Sequence, residues 1–395
     1  MIKPKLRFPE FSDSWENYKI EDIFDRVGEP VILDDTRTYR EIGIRSHGKG
    51  IFYTEEVSAV EIGNKRVFWV EPDCFVVNIV FAWERAVAKT TEQEKGMIAS
   101  HRFPMYKPKK DIVDLNYITE YFITKRGQNV LMLASPGGAG RNKTLGQKEF
   151  AKSIVKLPSI PEQQKIADFL SNIDTIISNY NDTIKEWEKR KKGVIQKLFS
   201  QEVRFKADDG NNFPEWEEKI LGDVFEERKE HSKGGEALLS VTIAQGIVKQ
   251  SETDKRNIAS ENKANYKVVK KNDLAYNTMR MWQGAEGVSE YDGIVSPAYT
   301  VIKIFEGNNS YFFEILFKQT FMLQAFQRYS QGLTSDTWNL KFPAFSKIKC
   351  LIPCEDEQNK IVECVAAFND VIEKQKSTLA AWEELKKGLL QQMFV

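Results

Sequence analysis

Residues 161–199 read PEQQKIADFLSNIDTIISNYNDTIKEWEKRKKGVIQKLF, and a related segment follows 195 positions later. The same offset relates Trp187 to Trp382 and the Lys-Lys-Gly run at 191–193 to the one at 386–388. Apolar residues recur in the first copy at alternating steps of four and three residues over about five heptads, which predicts a long helix with an apolar seam facing a partner helix. The seam residues assigned to this spacer coiled coil are Ile166, Ile173, Tyr180, Trp187, Val194, Ile361, Phe368, Trp382 and Leu389.

The two seams match each other, so we expect the two helices to pair. The alternative is two amphipathic helices that pack on separate cores. A lysine interrupts each seam at the same place, Lys191 in the first copy and Lys386 in the second. A lysine stem lies readily along an apolar surface with its ammonium group in water, so we expect both to reach solvent beside Trp187 and Trp382.

The repeat extends beyond the helices. The Leu-Arg-Phe run at 6–8 corresponds to a Val-Arg-Phe run at 203–205 in the second copy. The repeat predicts a domain at 1–156, a helix at 157–200, a second domain at 201–351 and a second helix at 352–395. Two domains related by an internal repeat can be arranged with two-fold symmetry about such a helix pair only if the helices run antiparallel.

Inside the domains, short apolar runs at 75–80 and 299–304 predict strands, and 116–125 and 311–327 predict helices. The fold class predicted is α+β, with two similar mixed α/β domains separated by two long antiparallel coiled-coil helices in an internal pseudo-two-fold repeat. The residues that align the two domains are Asp73, Asn78 and Trp83 with Asp273, Asn277 and Trp282.

Composition limits the function classes. The chain has 57 basic and 57 acidic residues, so a strongly charged partner must be met by local patches. No apolar run of about eighteen residues is present, and we expect a soluble, cytoplasmic protein without membrane contact. Cys350 and Cys354 have the spacing of half a zinc site, but no second ligand pair accompanies them, so they and the remaining cysteines, Cys74 and Cys364, are interpreted as structural or incidental.

Motifs for catalysis are missing from the sequence. The loop at 136–144 resembles a phosphate-binding loop, yet Asn142 stands where that pattern needs glycine, and the corresponding loop at 332–337 has no lysine. No Asn-Pro-Pro-Tyr-like motif or His-Glu-x-x-His motif occurs. We therefore predict no catalytic, cofactor-binding or metal-binding residues, and a chain that binds.

The Ile-Pro-Glu-Gln-Gln-Lys-Ile run at 160–166, the Lys-Lys-Gly run at 191–193 and the Phe-Pro-Glu-Trp run at 213–216 resemble the specificity (S) subunits of type I restriction–modification systems, over essentially the full chain. The second copy departs from the family pattern, since Cys-Glu-Asp at 354–356 replaces the neighbourhood of Pro161 and Asn359 replaces Gln164.

This resemblance implies a non-catalytic subunit with two target-recognition domains, each reading one half of a split, asymmetric sequence in double-stranded DNA. The helices would act as spacer and as dock for two adenine-methyltransferase (M) subunits, which carry S-adenosylmethionine. Restriction (R) subunits that use ATP and magnesium would join the same assembly. This chain itself would bind no cofactor.

Candidate DNA-reading residues are polar side chains on loops, since Arg, Lys, Asn and Gln reach base edges and phosphates. Any single arginine among them could instead be a salt-bridge partner or a phosphate contact. The loops around Asn142 and Ser335 occupy corresponding places in the repeat. The candidates in the first domain are Arg40, Arg45, His47, Lys49, Arg85, Arg141, Asn142 and Lys143; those in the second are Gln245, Arg280, Trp282, Gln283, Thr334, Ser335, Asp336 and Asn339, with Thr337 in the same loop.

Two other function classes stay open on sequence alone. One is a DNA methyltransferase or nuclease with its own recognition domains, which methyl transfer by the purified chain alone would reveal. The other is a coiled-coil scaffold whose globular domains bind proteins, which the near-zero net charge mildly favours. Salt-dependent DNA binding in the presence of partner subunits separates the scaffold from a DNA reader.

Overall fold

The computed structural model describes residues 4–137, 143–243, 245–252, 263–334 and 337–394. By its contacts the chain divides into a first unit, Met1–Thr183 with Gln375–Val395, and a second unit, Ile184–Lys374. Each unit contains one sheet-rich domain and one segment of each long helix.

The elements of the first domain and the helix that follows it are β1 (Glu16–Lys19), α1 (Ile20–Ile23), β2 (Phe24–Val27), β3 (Thr38–Ile44), β4 (Ile51–Ser58), α2 (Ala59–Ile62), β5 (Val67–Trp69), β6 (Phe75–Val77), β7 (Val87–Lys89), β8 (Ile98–Ser100), β9 (Met105–Pro108), α3 (Leu115–Ile123), α4 (Lys125–Leu133), α5 (Gln147–Lys152), β10 (Ile154–Leu157) and α6 (Ile160–Phe199).

The second domain and its helix consist of β11 (Glu217–Ile220), β12 (Phe225–Glu227), β13 (Leu239–Thr242), β14 (Gly246–Lys249), β15 (Lys267–Val269), β16 (Leu274–Asn277), β17 (Glu286–Val288), β18 (Gly293–Val295), β19 (Tyr299–Ile304), α7 (Ser310–Phe317), α8 (Thr320–Tyr329), α9 (Phe342–Phe345), β20 (Lys349–Ile352) and α10 (Glu355–Met393).

One four-stranded antiparallel sheet recurs with the same strand order in both units. The order is β2-β9-β6-β7 in the first and β12-β19-β16-β17 in the second. A short ladder also joins the strand that opens each domain to the strand before the long helix, β1 to β10 and β11 to β20. The prediction of two similar mixed α/β domains is confirmed.

Two details of the sequence interpretation are wrong. The single helix predicted at 311–327 is two helices, because Gln319 adopts an extended conformation (φ −75°, ψ 142°) between α7 and α8. The alignment of Asp73 with Asp273 is one residue out. Asp73 and Asn272 share a left-handed backbone (φ 54° and 70°), which makes Asn272 the equivalent residue.

The two long helices run antiparallel in each unit. In the first, Leu389 and Met393 near the end of α10 share a core with Ile166 and Leu170 near the start of α6. In the second, the Trp187 ring lies 5.9 Å from that of Phe368, while the later α6 residues pack in a core with the earlier α10 residues. The predicted antiparallel pairing is therefore confirmed.

The seam residues differ in burial, and their individual assignment to a spacer stays a prediction. The buried seam residues are Ile166, Ile173, Ile361 and Leu389; the half-buried ones are Tyr180, Trp187, Val194, Phe368 and Trp382.

Within the described ranges, no helix carries an apolar stretch long enough to cross a bilayer.

Lys386 does not project into solvent as expected. Its Nζ lies 2.7 Å from Asp174 Oδ1 and 3.4 Å from Glu120 Oε2, and the side chain is only 18% exposed. Burial raises the pKa of Glu120, and the Lys386 charge partly offsets that effect. At the equivalent place in the second unit, Lys191 Nζ donates to the neutral amide of Asn369 at 2.6 Å.

The Pro-Glu-Gln motif places a buried carboxylate at the start of each long helix. Glu162 accepts two parallel hydrogen bonds from the Arg7 guanidinium, both 2.8 Å long. Glu357 accepts the equivalent pair from Arg204, at 3.1 and 2.8 Å. Hydrogen bonding to these carboxylates raises the pKa of both arginines. We call these two ion pairs the arginine clamps, since each ties the segment preceding a domain to the helix that follows it.

The glutamine of the motif connects the same helix start to the domain. Gln163 Nε2 donates to the carbonyls of Pro158 and Ile112, and Gln163 Oε1 accepts from the Asp114 N–H, all at 2.9 Å. Gln358 accepts from the Asn309 N–H at 2.8 Å in the second unit. Asp114 and Asn309 are the N-caps of α3 and α7, so one amide side chain joins two helix starts in each unit.

The second clamp generates a stability prediction. Replacing Arg204 by Met leaves Glu357, which is 1% exposed, without its charged partner, and we expect a loss of about 3 kcal/mol in the free energy of unfolding. Urea denaturation measures the loss. The matched control is Arg190→Met, which removes an exposed pair with Glu186 and should cost under about 0.5 kcal/mol. Equal losses in the two variants would contradict a buried clamp.

Candidate nucleic-acid interface

Each unit carries the same tight turn after the third strand of its central sheet, at 78–85 and 277–284, which we call the tryptophan turns. Asn78 Oδ1 accepts the Val80 N–H at 3.1 Å, and Trp83 Nε1 donates to the Val80 carbonyl at 3.3 Å. Asn277 and Trp282 make the equivalent bonds to Met279 at 3.0 and 3.2 Å.

Both turns end in a left-handed residue, Arg85 (φ 62°) in the first and Gly284 (φ 79°) in the second. The shared hydrogen bonds and the shared backbone conformation give the two turns one frame. The side chains on that frame differ: Phe81 and Glu84 in the first turn correspond to Arg280 and Gln283 in the second.

A polar loop returns onto each tryptophan turn. The Leu145 N–H donates to the Ile79 carbonyl and the Leu340 N–H to the Thr278 carbonyl, both at 2.8 Å. Lys143 Nζ lies 5.7 Å from the centre of the Trp83 ring, a cation–π distance. The Trp338 ring meets the Trp282 ring edge-on at 5.2 Å. Residues 143–145 and 338–340, which end the two loops, therefore occupy equivalent places in their own units.

In the first unit, the turn between β3 and β4 is bonded to the tryptophan turn. The His47 N–H donates to the Glu84 carbonyl at 2.8 Å and the Gly48 N–H to the Arg85 carbonyl at 2.9 Å. Ser46 Oγ donates to the Glu84 carboxylate at 2.8 Å. These bonds bring the exposed side chains of His47 and Lys49 to the same surface as Trp83 and Lys143.

Three arginines proposed as readers make contacts within the protein. Arg85 is half-buried and donates to the Ile123 carbonyl at 3.1 Å. Arg45 donates to the Ile51 carbonyl at 2.9 Å and lies over the Phe52 ring, and Arg40 lies 3.5 Å from the Glu56 carboxylate. Arg40 and Arg45 are exposed and keep donors for a ligand, whereas the Arg85 contacts favour a structural role.

In the second unit, the structure brings an exposed glutamine close to the tryptophan turn. Gln245 lies in the β13–β14 turn, and its N–H is held by Thr242 Oγ1 at 3.0 Å. The next residue, Gly246, packs so closely on Gly287 of β17 that a Cβ on Gly287 would lie 2.7 Å from the Gly246 Cα. Since Gly287 follows the turn by three residues, the β13–β14 hairpin lies beside it.

The remaining candidates divide by exposure. Arg280 and Thr334 are exposed, while Trp282, Gln283 and Asn339 are half-buried. The Asn339 backbone pairs with Gln331, with hydrogen bonds of 2.8 and 3.0 Å. All these assignments to DNA contact stay predictions. Four of the named candidates, Arg141, Asn142, Ser335 and Asp336, lie outside the described residues.

Glu286 is a buried charge that the sequence interpretation missed. It is the first residue of β17, where β7 of the first unit begins with Val87, and burial raises its pKa well above the ordinary carboxyl value. Both carboxylate oxygens are buried, and no hydrogen bond to either is found among the described residues. Lys318 Nζ lies 3.8 Å away and also pairs with Glu314. An alignment of the two repeats would have shown glutamate at 286 where the first copy has valine at 87.

A metal site is not evident in the parts of the chain that the structure describes. Within those ranges, no group of three His, Cys, Asp or Glu side chains could hold a metal ion. The surface around the tryptophan turns instead offers amide, guanidinium, imidazole and ammonium groups. These are hydrogen-bond donors and acceptors suited to base edges and phosphates.

Comparison with known proteins agrees with this arrangement. Residues 12–188 match the family model of the type I restriction modification DNA specificity domain. The type I restriction enzyme MjaX specificity subunit of Methanocaldococcus jannaschii is 23% identical over 242 residues, 55% of this chain and 54% of that protein. The MjaVIII specificity subunit of the same organism is 29% identical over 170 residues, 42% of this chain and 38% of that protein.

The chain is thus similar to type I restriction–modification specificity subunits. It spans about half the length of the first of these curated relatives and less of the second. Solved structures share the fold of this chain. The HsdS subunit from Thermoanaerobacter tengcongensis has a TM-score of 0.52 at 12% identity, covering 98% of both chains. The type I S subunit from M. genitalium has a TM-score of 0.56 at 14% identity, covering 100% of this chain and 99% of that one.

The buried carboxyl predicts a pH dependence of stability. The folded state holds a proton on Glu286 above the unfolded-state pKa, so stability should fall as pH rises from the ordinary carboxyl value of 4.5 toward the raised folded value. Glu286→Gln should remove that part of the fall, which begins above about pH 4.5, measured by urea denaturation. Glu217→Gln, at an exposed position of β11, is the matched control and should keep the wild-type profile. A Glu286→Gln profile parallel to wild type would contradict the raised pKa.

Proposed function

We propose that this chain is the DNA sequence-recognition subunit of a type I restriction–modification enzyme, and that each unit reads one half of a bipartite, asymmetric target. The observation that carries the proposal is the duplicated tryptophan turn. One hydrogen-bonded frame occurs in both units with different side chains on it. Two turns with the same backbone and different side chains suit a target whose two halves differ in sequence.

The chemistry of each turn supports a role in reading bases. In the second unit, Arg280, Gln283 and Gln245 offer guanidinium and amide groups, which make paired hydrogen bonds to guanine and adenine edges in the major groove. In the first unit, Lys49 and Lys143 supply cations that fit phosphates and acceptor-rich base edges, and His47 supplies an imidazole that can hydrogen-bond.

The long helices are proposed as spacer and as dock for two M subunits, with R subunits completing the enzyme. The family is non-catalytic, and we assign methylation and cleavage to those partners, with S-adenosylmethionine, ATP and magnesium bound there. An assembly acting on cellular DNA would work in the cytoplasm. A self-contained methyltransferase or nuclease would instead modify or cut DNA as the purified chain alone, and a protein-binding scaffold would show no salt-dependent DNA binding.

The assignment of one half-site to each unit can be tested by mapping methylated adenines. The chain is reconstituted with its methyltransferase subunits, and modified sites are sequenced. Wild type should give one split motif. Arg280→Ala with Gln283→Ala should relax the motif in one half only, because each lost base contact removes ~1–3 kcal/mol of discrimination.

The matched variant is His47→Ala with Lys49→Ala in the first unit. It should affect the other half or, if its contacts are to phosphate, lower affinity for all sequences and reduce the salt dependence. Relaxation of both halves by either double variant would contradict the proposal.

A heptad insertion tests the spacer. Adding seven residues after Tyr180 and seven after Gln375 lengthens both helices while keeping the apolar seam in phase. The added length is roughly 10 Å, about three base pairs of DNA, so the unread gap should grow by about that number with both half-sites unchanged. The same methylation map measures the gap. An insertion in α6 alone is the control, since it breaks the pairing, and a fixed gap in the doubly lengthened chain would exclude the helices as the ruler.

A further inference from the structure

The return loop of the second unit holds a leucine entirely in solvent. Leu333 is 100% exposed, the highest value among the large apolar side chains in the described parts of the chain. Burial of a leucine side chain stabilises a fold, and Leu333 makes no such contribution here. A single exposed apolar residue is ordinary, but the backbone holds Leu333 in a particular place.

The backbone around Leu333 is fixed on both sides. Gly332 has a φ of 142°, and a Cβ there would lie 2.6 Å from the carbonyl of Thr337, so a side chain would not fit. The Thr334 N–H donates to Thr337 Oγ1 at 3.1 Å, and the Thr337 N–H donates to the Thr334 carbonyl at 2.9 Å. These bonds join Thr334 to Thr337, and the Leu333 side chain stays fully exposed.

The base of the loop is anchored to the proposed reading surface. Gln331 and Asn339 exchange two backbone hydrogen bonds of 3.0 and 2.8 Å. Between the tip and this pair, Trp338 packs edge-on against Trp282 of the tryptophan turn. Leu333 is therefore presented from the same support that carries Arg280 and Gln283.

Base edges in DNA offer few apolar partners. In the major groove the 5-methyl group of thymine is the apolar feature, and apolar side chains recognise it by contact. We propose that Leu333 contacts the methyl group of a thymine in the half-site read by the second unit. This rests on the proposed function and adds the class of base that one side chain selects.

Deoxyuridine tests the contact, because it differs from thymidine by that methyl group alone. Each thymine of both half-sites, on either strand, is replaced singly, and affinity is measured for the chain assembled with its methyltransferase subunits. Wild type should lose about fourfold at one thymine of one half-site, the value expected for one buried methyl group. Leu333→Ala should bind the unmodified target about fourfold more weakly and no longer distinguish thymine from uracil there.

The control is Leu351→Ala, which removes an exposed leucine of β20 in the same unit and should keep the fourfold preference. Three results would overturn the proposal while leaving the recognition function intact. The wild-type complex could bind its split target with the same affinity after every uracil replacement. The Leu333→Ala complex could keep the preference for thymine over uracil, or the Leu333→Ala chain could show weaker assembly with its partners as its only defect. Uniform weakening on all duplexes would point to a wedge between base pairs and would also overturn it. Absence of any split-site binding would overturn both proposals.

Discussion

The arginine clamp is the interaction on which both units depend. Glu162 and Glu357 are each about 1% exposed, so their charges are stabilised by Arg7 and Arg204 and not by water. Each clamp joins residues 155 or 153 positions apart, and so closes the chain around a whole domain. A buried carboxylate without its partner is strongly destabilising, which makes the clamp sensitive to either residue. The domain and the helix beside it are held in one arrangement as a result.

The glutamine that follows each clamp glutamate joins the start of the long helix to the domain beside it. Its amide satisfies groups from the strand-to-helix junction and from the N-cap of α3 or α7. A buried backbone donor or acceptor left unpaired costs about 1–3 kcal/mol, so an amide with both a donor and an acceptor suits this position. The two neighbouring side chains thus perform separate tasks, one electrostatic and one geometric.

Elements with a strong periodic pattern could be predicted from the sequence. The apolar seam predicted a helix at 157–200, and α6 runs over Ile160–Phe199; the strand predicted at 299–304 is β19. The break between α7 and α8 was missed, because Lys318 and Gln319 carry no glycine or proline signal. The clamps were missed as well, since a contact across more than 150 residues leaves no local pattern.

The candidate site was predictable only as a set of loops. Arg85 looked like its neighbours in sequence, yet the left-handed turn directs it to the Ile123 carbonyl. The placement of His47 beside Trp83 depends on backbone bonds from the β3–β4 turn to Glu84 and Arg85, which composition does not encode. The polar residue types indicated which loops are candidates for DNA contact. Tertiary hydrogen bonds, which the sequence does not show, determine which side chains on those loops stay exposed.

The two copies show which positions can change without disturbing the frame. Asn78 and Asn277 keep the same side-chain bond to the backbone, and Trp83 and Trp282 keep theirs. Replacing either type would leave backbone groups of the turn without partners. Phe81 and Arg280, by contrast, satisfy no backbone group through their side chains in the bonds found for the described residues, so exchanging one for the other carries no such penalty. Variation at these two positions therefore leaves the backbone hydrogen bonds of the turn intact, so the turn can carry a different side chain while its fold stays the same.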